Sequence, residues 1–266
     1  MKQEIEYQLT RNIRRLGHLQ IEGGGQIVVE GGYAYIGHMK PPMGTSIIDV
    51  SNPATPTVVA HVPPPDKWSH THKVRVCGDI MITNVEQDRR HFLRKADKIA
   101  GIRKELGDGA TDAQIAERLG VKTSDIEDLE QAASRGYHSG GFRIWDISDR
   151  TAPKLLSYVK THGFGVHRFD MDANYAYIST EMEGYVGNIL VIYDIADPAH
   201  PKEVSRWHMP GQHVAGGETP AWEGYGIRLH HAMRSGDELW AAVWHAGLRV
   251  IDASDLTKPS VKVLYW

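Results

Sequence analysis

The segment IIDVSNPATP at residues 47–56 returns three more times without a gap, as IWDISDRTAP (144–153), IYDIADPAHP (192–201) and VIDASDLTKP (250–259). Each copy opens on apolar, strand-forming residues and runs into a turn rich in Asp, Asn, Ser and Pro. Each also places an Asp seven residues before a Pro: Asp49 and Pro56, Asp146 and Pro153, Asp194 and Pro201, Asp252 and Pro259. Short polar side chains in such turns hydrogen-bond their own backbone, and Pro stops the strand.

Outward from this motif the neighbouring segments repeat as well. A second strand precedes each copy: YAYIG (33–37), IMITN (80–84), YAYIS (175–179) and LWAAV (239–243). Another follows: TVVAHV (57–62), KLLSYV (154–159), EVSRWH (203–208) and VKVLYW (261–266). Ahead of the YAYIG-type strand lies a further short one, QIVV, HKVRV, HRFDM or HAMR. Four strands in fixed order, four times over, predict an all-β chain whose residues 1–266 form a β-propeller of four recognisable blades. One blade cannot bury both of its faces, so it needs neighbours on either side.

Successive motif Asp residues are 97, 48 and 58 positions apart. The long interval holds an insertion over about 87–137, between the second and third strands of unit two. Its stretches KADKIAGIRKEL and TDAQIAERLGVKTSDIEDLEQAA carry apolar residues at three- and four-residue spacing, which predicts amphipathic helix, with Thr111 as N-cap and Gln114 completing the box. The rhythm is that of a helix-turn-helix. However, SDIEDLEQ holds four acids and no base, which repels phosphate, so no nucleic-acid partner is expected.

The units resemble the LVIVD repeat family of β-propellers, on GGYAYIGHM, GTSIIDVSNPATP, GGFRIWDISD, GETPAW and LHHAM as they stand here. That resemblance implies a propeller of more than four blades. The stretch RRLGHLQIEG (14–23) reads as an orphan outer strand, while the fourth unit already has its own. The ring is therefore expected to be incomplete in this chain and to be finished by a further chain or a C-terminal segment.

Composition narrows the function. Thirty Lys and Arg against 33 Asp and Glu give no basic footprint for nucleic acid or an anionic membrane surface. A single cysteine, Cys77, excludes a disulfide within the chain and a thiolate cage. The polar start MKQEIEYQLTRNIRR and the lack of a long apolar run lead to the expectation of a cytoplasmic protein with no membrane partner. There is no G-x-S-x-G, no glycine-rich phosphate loop and no H-E-x-x-H, so a serine hydrolase, a nucleotide enzyme and a zincin are not supported.

Histidine is over-represented, with 15 residues. His72, His167 and the pair His230-His231 open the first strands of units two, three and four. Counting to the second strand gives nine residues from His72 to Met81, nine from His231 to Trp240 and ten from His167 to Tyr177. Gln26 matches in unit one. First strands line a propeller's channel, so equivalent positions converge on the axis. Three imidazoles at one level suit a divalent transition metal (Fe, Cu, Zn or Mn), and His72, His167 and His231 are the expected ligands. His70 lies two residues before His72. Glu218, in the loop GGETPAW, is the candidate general base, or else a fifth ligand or a group orienting one, the plain alternative being a carboxylate that only caps its turn.

The expectation is a metal-dependent enzyme, an oxidoreductase or lyase acting on a small organic molecule admitted beneath the helical insertion. The competing reading is a non-catalytic propeller that serves as a protein-interaction scaffold.

Overall fold

The computed structural model describes residues 12–107, 109–224 and 226–265. Blade 1 is the antiparallel series β1 (Gly24–Glu30), β2 (Tyr33–His38), β3 (Thr45–Asp49) and β4 (Thr57–Val62). In blade 2 the inner strand is broken into β5 (Ser69–His70) and β6 (Val74–Cys77), both paired with β7 (Ile80–Gln87). The insertion follows as helices α1 (Arg90–Leu93), α2 (Ile99–Leu106), α3 (Asp112–Leu119) and α4 (Asp125–Arg135). Strands β8 (Gly141–Asp146) and β9 (Lys154–Lys160) then finish the blade. Blade 3 is β10 (His162–Met171), β11 (Tyr175–Glu181), β12 (Ile189–Asp194) and β13 (Lys202–Trp207). Blade 4 is β14 (Arg228–Ser235), β15 (Glu238–Trp244), β16 (Gly247–Asp252) and β17 (Ser260–Tyr265). This is the predicted all-β propeller architecture with a helical insertion. Among the described residues no helix is long and apolar enough to cross a membrane.

The repeated Asp is the physical seed of every blade. Asp49, Asp146, Asp194 and Asp252 each accept a hydrogen bond through Oδ1 from the amide two residues on, at 2.8, 2.8, 2.9 and 3.0 Å. A second turn of the same kind follows three residues later, at Asn52, Asp149, Asp197 and Asp255. Two successive Asx turns reverse the chain before Pro starts the outer strand. Each motif Asp also faces the first residue of the second strand, namely Tyr33, Ile80, Tyr175 or Glu238, which fixes one register for all four blades.

That register explains the core. The position held by Tyr35, Ile82 and Tyr177 points at the following blade and is fully buried three times over. Val74, Phe169 and Ala232 answer from the following blade's inner strand, at 0, 2 and 1% exposure. At the two ends of the arc the same positions face solvent: Ile27 is 55% and Trp240 37% exposed. Outer edges are locked as well. Ser157 donates to the Pro198 carbonyl at 2.7 Å, and Ser205 to the Leu256 carbonyl at 2.6 Å, each joining an outer strand to the next blade's turn.

The equivalent turn carbonyl of blade 1, that of Pro53, is met by Gly17, where a Cβ would lie only 2.3 Å from it. The orphan stretch 14–23 therefore runs where the outer strand of a preceding blade would lie, although residues 13–21 pair with no strand.

The insertion carries its own small core of Ile99, Ile115, Leu119, Ile126 and Leu129. Thr111 caps α3 through the reciprocal box with Gln114, as the sequence predicts. Arg135 stacks over Trp68 at 3.7 Å, and the Tyr137 hydroxyl bonds Ser69 at 2.8 Å, seating the insertion at the mouth of blade 2.

Candidate metal centre

Four imidazoles form a row across blades 2, 3 and 4. Ring centroids are 4.1 Å apart for His70 and His72, 5.7 Å for His72 and His167, and 5.2 Å for His167 and His230. Three of these residues are repeat-equivalent. Counted to Ile82, Tyr177 and Trp240, which the motif register aligns, His72, His167 and His230 each lie ten residues ahead, and Gly25 takes this place in blade 1. The nine-residue count that selects His231 aligns Met81 with Tyr35, whereas the sheet aligns Ile82. His231 instead points its Nε2–H at the Phe169 carbonyl, 3.0 Å away, and joins strands β10 and β14.

Local irregularity turns these side chains toward the channel. The ladder slips at His167, between Val166 and Arg168, and again at His230, between Leu229 and His231. A bulge re-aims a side chain that regular pleating would bury between blades. At His72 the strand is interrupted altogether. Asn84 bridges the gap, accepting from the Lys73 amide at 2.8 Å and donating to the Val166 carbonyl at 2.9 Å. Gly37 allows the 71–73 backbone to come close, since a Cβ there would lie 2.5 Å from the His72 carbonyl carbon.

At the centre stands Glu86, on β7 and 1% exposed. Arg90 holds one of its oxygens at 2.9 Å, and His70 Nε2 lies 3.0 Å from the other. His167 Nδ1 is 3.2 Å away and His72 Nε2 3.6 Å. Burial alone would raise this carboxyl, but hydrogen bonds from His167 and His70 together with the Arg90 charge outweigh it and hold Glu86 well below the usual carboxylate range. Desolvation pushes His72 well below its ordinary value, lowers His167, and brings His230 down to about 4 with His167 adding to the effect. An ionised carboxylate thus stands among His72, His167 and His230, whose neutral form burial favours, and these are the protonation states that metal ligation requires.

Hydrogen bonds assign the ring nitrogens. His70 Nδ1 donates to the Met39 carbonyl at 2.9 Å, and its Nε2 faces the Glu86 carboxylate at 3.0 Å. A proton on Nε2 makes this contact a hydrogen bond, and a metal ion could take that proton's place between the two atoms. His72 differs: its Nδ1 accepts from Asn84 at 3.2 Å, so it ligates through Nε2 only after a tautomer change that breaks this bond. His70, His72 and Glu86 nonetheless bring three ligand atoms within 4.8 Å of one another.

Glu218 lies outside this row. It accepts from the Gly211 and His213 amides at 2.8 and 3.0 Å and so caps its own loop. The centre's carboxylate is Glu86, which sequence reasoning does not single out. Its one legible sign is its place beside an inner-strand histidine pair at the end of the ITN strand. His70 stands out in the sequence only as a neighbour of His72.

Such an arrangement defines the protein as a propeller with a histidine–carboxylate centre on its channel wall. The LVIVD repeat model matches residues 24–63, 136–161, 171–208 and 235–266, and the chain belongs to the LVIVD repeat family. None of the curated proteins matches it. Among solved structures it is similar to a protein from Lactobacillus plantarum, at 11% identity and a TM-score of 0.53, covering 90% of this chain and 54% of that one. It is equally similar to a hypothetical selenium-binding protein from Sulfolobus tokodaii, at 11% identity and a TM-score of 0.53, covering 91% and 50%. The likeness is one of fold, and the chain spans about half the length of these structures.

Proposed function

We propose that this protein is a metal-dependent enzyme, an oxidoreductase or lyase acting on a small organic molecule in the propeller channel. The observation that carries the reading is the convergence of His70 Nε2, His72 and the buried, ionised Glu86 carboxylate, whose ligand atoms lie within 4.8 Å of one another with His70 Nε2 3.0 Å from the carboxylate. Two imidazoles and one carboxylate make a donor set suited to iron, manganese or zinc, with coordination positions left for substrate. Bound there, a divalent ion would supply Lewis-acid or redox chemistry. His167 orients Glu86 and, with His230, borders the open side of the site. Arg90, from the insertion's first helix, keeps the carboxylate ionised and aimed.

Metal content by plasma mass spectrometry decides this, on untagged protein purified without chelator beside a His70→Ala/Glu86→Gln variant. Near-stoichiometric metal that disappears in the variant supports the centre. A folded protein that takes up no iron, manganese, zinc or copper on reconstitution overturns it.

The scaffold reading has one observation in its favour. The free face of blade 4 shows Met233, Trp240 and Trp244 at 49, 37 and 46% exposure, an apolar patch of the kind that protein partners cover.

A further inference from the structure

One residue beyond each of His72 and His167 stands a cation, Lys73 on blade 2 and Arg168 on blade 3, again at equivalent positions of neighbouring blades. The charges around them do not balance locally. Arg75 pairs with Asp170 at 3.1 Å and Arg90 with Glu86 at 2.9 Å, which uses both nearby carboxylates. Lys73 buries its stem, at 8% exposure overall, while its ammonium reaches solvent and makes no hydrogen bond or ion pair among the described residues. Arg168 spends its Nε–H on a neutral acceptor, His230 Nε2 at 3.2 Å, and has no carboxylate partner among the described residues. Two cations at equivalent positions of adjacent blades, with no carboxylate paired to either, set up a positive potential that an anion bound across them would relieve.

We infer that Lys73 and Arg168 form an anion-binding site beside the histidine row, which takes the carboxylate or phosphate group of the substrate. A planar guanidinium and a compact ammonium together match an anionic oxygen pair. The inference builds on the channel as a binding site, and it gives that site a class of ligand: a small organic anion whose charged end rests on blades 2 and 3. It does not depend on a metal being bound.

The test is isothermal titration calorimetry on chelator-treated, full-length protein, with inorganic phosphate and with acetate as separate probes at low ionic strength. Saturable binding is expected. Lys73→Met and Arg168→Met should each weaken it by about tenfold, the double variant should abolish it, and Lys73→Arg should keep it within about threefold. Comparable binding of acetate points to a carboxylate ligand, whereas binding of phosphate alone points to a phosphate ester. Failure of both probes to bind wild-type protein overturns the inference, as does undiminished binding in Lys73→Met and Arg168→Met variants that keep the wild-type urea midpoint. Because the protein is metal-free throughout, failure here and failure of the metal centre are separate outcomes, the second being read from metal content alone.

Discussion

His167 and His230 stand 5.2 Å apart, ring to ring, because each occupies the same one-residue slip in the inner strand of its blade. In a regular strand these positions would alternate into the blade interfaces, as Phe169 and Ala232 do. The slips turn a packing position into a channel position, and the repeat brings two of them side by side.

The Glu86–Arg90 pair is buried on both sides, at 1 and 7% exposure. Removing the cation leaves a buried, ionised carboxylate without its permanent counter-charge. Arg90→Met should therefore destabilise the fold by about 3–5 kcal/mol, measured by urea denaturation near neutral pH. The double variant Arg90→Met/Glu86→Leu should recover much of that loss. No recovery would mean that the pair is not the source of the effect.

Tyr177 and Trp240 hold the same place in blades 3 and 4, the first fully buried and the second 37% exposed. Tyr177→Ala should cost about 3–5 kcal/mol, the usual range for a large buried aromatic. Trp240→Ala should cost about 1 kcal/mol or less, since little new cavity forms. Equal losses in calorimetric unfolding would show that the Trp240 face is covered in solution.

The exposed turn carboxylates give a pH signature. Amide and hydroxyl donors from Ser51, Ser148 and Ser254 lower Asp49, Asp146 and Asp252. For a carboxyl depressed by folding, the stabilisation is complete above its unfolded value and is lost as pH falls through the folded one. The difference in urea midpoint between wild type and an Asp146→Ala variant should therefore be largest near neutral pH and shrink toward about pH 3. A difference that does not change with pH would assign the turn's stability to something other than the ionised side chain.

The capping box of α3 is a local device on a satellite core. Thr111→Ala should lower the stability of the insertion by about 1 kcal/mol, visible as faster hydrogen exchange in α3, with exchange in β11 and β12 unchanged. Faster exchange throughout would show that insertion and propeller unfold as one unit.

Most of the architecture is legible in the sequence because its causes are local. The Asp-to-Pro motif is a double Asx turn, and the YAYIG alternation is a blade strand buried on two faces, so both leave a short-range mark. The same holds for Thr111 and Gln114. The site is harder to read, because it depends on where ladders slip. Bulges at His167 and His230 leave no composition signal, and a one-residue error in aligning the second strands moves the choice from His230 to His231. Glu86 is obscured for another reason. A carboxylate at the end of an apolar strand reads as an exposed edge residue, and only the approach of β10, where Gly165 pairs with Glu86, buries it. Glu218 is ambiguous in the opposite way: a carboxylate in a Gly-rich loop suits either chemistry or turn capping, and here it accepts from the Gly211 and His213 amides.

The insertion begins one turn after Glu86, and its first helical residue is the one that grips that carboxylate. Modularity is thereby compromised. An excursion hung from a blade is ordinarily free to lengthen, shrink or vanish during descent, but here its root is shared with the centre. A relative without the helices would have to supply another cation to the same carboxylate or surrender the charge. Engineering follows the same rule: a graft of this propeller that trims the loop back to Gln87 removes a piece of the chemistry along with the decoration.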